Sequence, residues 1–348
     1  MQRILWIDSV RGMLILLIVL GHVLGGGIAT GQVDSKFLVV MHRIIYMFHV
    51  PAFFVLTGLI WSRLSVDKNS NTISAWVLYV DKKFRRLMIP YFFFGLVSIV
   101  IYCLIVEHNM ASFGLKMLSL CHGGGWGGAF RTNAVLWFLP VMFTVVILYK
   151  AIDMSIKWRK FWWIHLLISI GCLCVHRCCV HMIHINYVPF GFVMALRYVS
   201  FVVLGRCAAD IWIFCRARGF CATSVKQLAL IGMIAFLGLT FVDRDFIGGI
   251  LGDWTSWFIM MLAAATMSLS FIAMARVLDC SVVRFIGNQT IGIMLLHKFP
   301  VVMLQSKVIS AVNCAACAIV IVFVISVSFS LVSAWLIGRT CPKVLGVK

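Results

Sequence analysis

Arg11 and His22 stand eleven positions apart in the first hydrophobic stretch of the chain, which begins near Trp6. On a helix, eleven steps of about 100° make roughly three turns, so the two side chains share one face and lie about 16 Å apart along the axis. An ionisable pair inside an apolar helix is costly to place there and reads as a functional site. A guanidinium grips phosphate oxygens in a forked geometry, and an imidazole is a general base at neutral pH. Asp8, three residues before Arg11 and on the same face, can pair with it. A plainer reading stands beside this one: Arg11 anchors the helix at the membrane surface, and His22 is a hydrogen-bonded core histidine.

Other residues of the same kind recur. The second apolar stretch carries His49, followed by Pro51 and Gly58, which a plain lipid-facing helix accommodates poorly unless neighbours satisfy its backbone. His49 suits an interfacial position at least as well as a catalytic one. A late stretch carries His297 about 13–15 Å from its inner end, a depth comparable with that of His22. Arg197 interrupts an apolar run between Leu196 and Tyr198, where a guanidinium should face a cavity, an acid or a substrate oxygen. Lys82, Lys83, Arg85 and Arg86 form a basic run just before Pro90. That run reads as the charged flank of a membrane span and, compatibly, as a clamp for a phosphorylated donor.

The acids decide which chemistry is open. Ten aspartates and one glutamate are present, and none sits in the middle of an apolar stretch. Carboxylate pairs of the glycosidase kind and the intramembrane carboxylates of proton-coupled transport therefore have no candidate. Histidine is the available base. Two further patterns carry little. The run from Cys172 to His184 holds several cysteines and histidines, but its spacing fits no closed zinc site. The glycine-rich run Gly123 to Gly128 lacks the lysine and hydroxyl residue of a phosphate-binding loop. No metal is expected.

The elements that must position these residues follow from composition. Of 348 residues 63% are hydrophobic and only 12% charged, and the mean hydropathy is +1.05. A soluble domain is about half apolar and a quarter charged, so the chain reads as an all-α, polytopic integral membrane protein. Windows of bilayer-crossing length fall at 10–29, 44–62, 87–106, 133–149, 161–177, 187–205, 227–243, 255–275, 286–305 and 312–337. About ten transmembrane helices are thus expected. They form a single membrane domain over 1–348 with no repeat and an uncleaved first span. The net charge of +19 is scattered in short runs between these windows, which argues against nucleic acid and for membrane loops. With both termini cytoplasmic, 21 lysines and arginines fall on the inner side and 7 on the outer. Most of the thirteen cysteines lie in apolar stretches, where they act as small hydrophobes.

Together these segments resemble the membrane-bound acyltransferase family 3, the bacterial carbohydrate O-acyltransferases, and most of all its fucose 4-O-acetylase-like group. The resemblance rests on Arg11 and His22 with Asp8 and Gly12, then His49, Pro51 and Gly58, then the basic run ending at Pro90. It continues through Leu136, Trp137, Leu139 and Pro140 to Ile286, Gly287, Asn288 and His297. It implies transfer of an acyl group, usually acetyl from acetyl-CoA, to a sugar hydroxyl. Arg11, Arg85 and Arg86 would hold the donor, His22 would be the catalytic histidine, and His297 would support it. Asp8, His49, Trp137, Arg197 and Asn288 are further candidates for the cavity or the acceptor. The partners implied are an acyl-CoA, a glycan or lipid-linked sugar, and the bilayer of the bacterial cytoplasmic (inner) membrane, with no permanently bound cofactor. Lys82 and Lys83 depart from the Arg-x-x-Arg that the family pattern has in the basic run. Succinyl or another acyl group on the same scaffold is the alternative enzyme, and a glycan transporter or flippase is the alternative of another class.

Overall fold

The computed structural model describes residues 4–64, 73–121, 123, 133–183, 189–217, 230, 244–312 and 314–346. The long elements are α1 (Leu5–Ala29), α2 (Lys36–Leu64), α3 (Ile73–Ile101), α4 (Phe113–Cys121), α5 (Phe138–Ser155), α6 (Trp158–His181) and α7 (Phe192–Ala217). They continue with α8 (Arg244–Val277), α9 (Ser281–Asn288), α10 (Thr290–Leu296), α11 (Lys298–Ala311) and α12 (Ala315–Thr340). There is no strand among the described residues. Eight helical stretches there are long and apolar enough to cross a bilayer, so the chain is an all-α polytopic membrane protein. The expected span at 227–243 lies outside the described residues except for residue 230, as do His184 and all of the glycine-rich run except Gly123.

The segment expected as one span over 286–305 is built differently. Residues Ser281–Asn288 form a separate short helix, and Thr290–Leu296 meets Lys298–Ala311 at a bend of 49° centred on His297. Pro300 supplies the cause, because its ring crowds the carbonyl four residues back and it has no N–H to offer there.

Two compact units are present: Met1–Ser62 with Phe201–Thr290, and Arg63–Ser200 with Ile291–Lys348. In the first, helices meet backbone to backbone. A β-carbon at Gly12 would run into the Val283 carbonyl, and one at Gly287 into the Asp8 carbonyl, so α1 and α9 touch where neither has a side chain. The same device joins α2 and α7, where Gly58 faces the Val202 carbonyl and Gly205 the Val55 carbonyl. Apolar side chains gain nothing by leaving lipid for protein, so close packing of small residues must supply the attraction. α8 adds to α2 through Phe48 and Phe271, whose rings are 5.1 Å apart. Ser268 also reaches the Phe48 carbonyl at 3.4 Å. Near the start of α1, the Arg276 guanidinium lies 5.3 Å from the Trp6 ring and 5.0 Å from the Trp212 ring, tying α1, α7 and α8 together.

In the second unit, polar groups bridge elements. The Tyr91 hydroxyl donates to the Leu120 carbonyl at 2.5 Å, and the Asn133 amide donates to the Leu295 carbonyl at 2.9 Å. His176 Nδ1–H donates to the Val193 carbonyl at 2.9 Å, joining α6 to α7. Gly292 of α10 packs against Ala334 of α12.

Gly287→Val should therefore cost about 1–3 kcal/mol or more, since the neighbour is a fixed carbonyl and not a movable side chain. Thermal unfolding in detergent should show it as a fall in Tm. Gly114→Ala, at a helical position with open space around it, should leave Tm unchanged or raise it.

Candidate active site

The first turns of α1 carry a charged cluster. Arg11 pairs with Asp8 at 3.9 Å, the aspartate almost covered and the arginine one third exposed. Ser9 hydrogen-bonds the Asp279 carboxylate, and Arg284 pairs with the same carboxylate at 3.2 Å. Asn288, the last residue of α9, is exposed and directly follows Gly287. Asp8, Arg11 and Asn288 are expected from the sequence and belong to one unit. Ser9, Asp279 and Arg284 are not anticipated. Their only trace is an aspartate five residues before an arginine in a loop, a pattern common on any protein surface.

Eleven residues along α1 lies His22, half-buried, with its Nδ1 3.0 Å from the Tyr46 hydroxyl of α2. Tyr46 sits among three imidazoles. The His42 ring lies along it, with centroids 4.2 Å apart and planes at 37°. The His49 ring meets it edge-on at 5.0 Å and 68°. The His22 ring meets it at 5.9 Å and 82°. The spacing His42, Tyr46, His49 puts all three on one face of α2, at steps of four and three residues. Two glycines of α1 make the approach feasible. A β-carbon at Gly21 would stand 3.0 Å from the Tyr46 ring, and one at Gly25 would stand 2.8 Å from His42 Nε2.

His49 is thus buried beside His22 and Tyr46. Its Nδ1–H donates to the Ile45 carbonyl at 2.6 Å, one turn back on its own helix. His42 and Tyr46 escape sequence reading because neither belongs to a motif. The available signal was their spacing from His49.

His297, Arg197, Trp137, Arg85 and Arg86 belong to the second unit. His297 is fully buried at the break between α10 and α11, and its Nδ1–H donates to the Ile293 carbonyl at 2.8 Å. Trp137 stacks on Tyr198 at 6.2 Å and 28°. The Arg197 guanidinium lies 5.6 Å from the centre of that same tyrosine ring. The sequence candidates Trp137 and Arg197 are therefore brought together through a residue it does not single out. Arg85 and Arg86 are exposed on α3, and Arg85 is paired with Asp81 at 2.9 Å. The Arg86 carbonyl abuts Gly346 after the final helical turn.

Among the described residues, no group of three or more histidines, cysteines, aspartates or glutamates is arranged to hold a metal ion. Cys172, Cys174, Cys178 and Cys179 are free thiols along α6. The chemistry available at His22 is proton transfer. An imidazole is a general base at neutral pH.

Comparison with known proteins gives the family. Residues 4–338 match the model of an acyltransferase family, described as an acyltransferase domain. Neither the curated proteins nor the solved structures contain a match to the chain. The match runs from the first turn of α1 through nearly all of α12 and so takes in both the charged cluster and the histidine site. The chain belongs to acyltransferase family 3 and is an integral membrane acyltransferase.

Proposed function

We propose that the protein transfers an acetyl group from cytoplasmic acetyl-CoA to a hydroxyl of a surface or exported glycan, with His22 as general base. The observation that carries this reading is the placing of a half-buried imidazole and a partly exposed guanidinium on one helix, eleven residues apart. Acyl transfer from a thioester needs both properties. The donor has a polyanionic head that requires cations at the aqueous surface. Its reactive carbonyl lies at the end of a long, thin arm that can enter an apolar protein. The excess of lysine and arginine on one side of the expected topology supports a cytoplasmic N-terminus, and hence Arg11 at the donor side.

In the reaction, Arg11 holds donor phosphates by charge-assisted hydrogen bonds. Arg85 and Arg86, exposed on α3, offer further cations on the same side of the expected topology. His22 takes the proton of the acceptor hydroxyl as its oxygen attacks the thioester carbonyl. The tetrahedral intermediate collapses, the carbon–sulfur bond breaks, and the proton on His22 passes to the coenzyme A sulfur. An O-acetylated sugar and free coenzyme A leave, and His22 returns to its neutral form. Localisation in the bacterial cytoplasmic membrane belongs to the same proposal, since donor and exported acceptor meet only across that bilayer.

Membranes containing the protein, incubated with acetyl-CoA labelled in the acetyl group, should place label in glycan. Unmodified glycan moving across the membrane without label would instead mark a transporter. His22→Gln should lower the rate by 100-fold or more, on the order of what general base catalysis contributes. Full activity in that variant would remove the core of the proposal. Arg11→Gln should raise KM for acetyl-CoA roughly 10-fold, about what one charge-assisted contact is worth, and leave the acceptor KM unchanged. An equal rise in both would show a general loss of structure.

A further inference from the structure

His22 as a base raises a second question: what decides which of its nitrogens carries the proton. We infer that Tyr46 is the positioning residue for His22. By accepting Nδ1–H at its phenol oxygen it holds the imidazole in one tautomer, the part that an acceptor-only carboxylate plays in a serine–histidine–aspartate triad. This rests on the reading of His22 as the base and adds to it the group that makes it one.

The argument begins with how firmly the phenol is held. Its ring lies along His42 on one side and against the edge of His49 on another. His49 is itself fixed by donating Nδ1–H to the Ile45 carbonyl at 2.6 Å. Gly21 leaves the α1 surface flat where the Tyr46 ring rests, and Gly25 does the same for His42. Three contacts, with His42, His49 and Gly21, thus place the hydroxyl 3.0 Å from His22 Nδ1 on a ring that is otherwise 41% exposed.

Two proton arrangements satisfy that contact. If the phenol donates to Nδ1, the imidazole proton sits on Nε2 and that nitrogen cannot accept another. If Nδ1–H donates to the phenol oxygen, Nε2 carries the lone pair and is the base. Catalysis requires the second arrangement. The proton of the acceptor hydroxyl then moves to Nε2, and the imidazolium keeps its Nδ1–H on the phenol oxygen throughout. It gives the Nε2 proton to the departing sulfur, and Tyr46 gains and loses none.

A phenol in this role suits its surroundings. The acid nearest to His22 along α1 is Asp8, fourteen residues earlier, or about 21 Å along the helix axis. A carboxylate beside His22 would have to be buried as a charge in the membrane interior, whereas a phenol orients the ring without one.

The test uses the full-length protein carrying Tyr46→Phe, which removes one oxygen and keeps the ring and its packing. Rates are measured with labelled acetyl-CoA on native membrane glycan. The His22 tautomer is read separately by nitrogen-15 NMR of histidine-labelled protein, with the signal assigned by its loss in His22→Gln. The expected result is a kcat at least about 10-fold lower, part of what general base catalysis contributes. KM for acetyl-CoA should stay within about twofold. The His22 proton should move from Nδ1 towards Nε2, the site that unconstrained histidine favours. An unchanged kcat with an unchanged tautomer overturns the role of Tyr46, even if His22→Gln is inactive and the base assignment stands. A loss of activity with no tautomer change also overturns it, as a packing effect. Activity retained in His22→Gln defeats the base assignment itself. If acetyl-CoA yields no label even with the unaltered protein, the proposed donor fails and the NMR result alone decides whether Tyr46 sets the tautomer.

Discussion

Close approach of helix backbones at glycine is the constraint on which the first unit depends. In lipid, an apolar side chain gains little by moving from acyl chains to protein, so helices are held by contacts that lipid cannot make. Gly12 against the Val283 carbonyl and Gly287 against the Asp8 carbonyl bring α1 and α9 within backbone reach. Gly58 and Gly205 do the same for α2 and α7. The site reuses the device further along α1. Gly21 and Gly25 clear the surface where Tyr46 and His42 lie, so the residue type that joins the helices also opens the space beside His22.

Polar groups in so apolar a chain need partners, and the molecule supplies them in two ways. Charges near the start of α1 are held in short pairs: Asp8 with Arg11, and Asp279 with both Arg284 and Ser9. Deeper groups are satisfied by their own helices. His49 and His297 each donate Nδ1–H to a carbonyl four residues back, at 2.6 and 2.8 Å. This local bond keeps a proton on Nδ1 and with it fixes the orientation of the imidazole. His22 differs, since its Nδ1 meets a side chain of another helix. A hydrogen bond that crosses between helices can change when the helices or a ligand move, and one within a single turn cannot. That contrast separates His22 from the other two histidines better than depth in the membrane does.

Much of the fold is legible in the sequence because its cause is local. Hydrophobic windows long enough for a bilayer can be read without knowing any neighbour, and nine of the ten expected windows fall on described helices. The Arg11–His22 pair is legible for the same reason, as both residues sit on one helix. The ninth window shows the limit. Its apolar character is continuous, yet Pro300 and the turn at Gln289 divide it into three helices. Proline was a visible signal, but composition outweighed it. Tyr46 and His42 were less legible still, because their role arises only when α2 lies on the glycine face of α1. No window along a single chain contains that fact. His49 was legible as a residue of interest but not in its environment, for the same reason.

The pattern of what can be read suggests how such a site is built. The proposed base His22 and the proposed donor-binding Arg11 are spaced by helix geometry, so their separation survives any change that keeps α1 helical. The proposed orienting group, Tyr46, comes from a second helix, where the requirement is a position and not a sequence offset. A carboxylate could occupy that position geometrically, but in a low-dielectric interior its desolvation would cost several kcal/mol before it helped the base. A phenol avoids that cost. His42, His49 and Gly21 each touch the Tyr46 ring, which keeps 41% of its surface exposed, and so lower the side-chain freedom lost when the hydrogen bond forms. On the proposed reading, packing in a membrane enzyme with few acids takes over a task that charge performs in water-soluble ones.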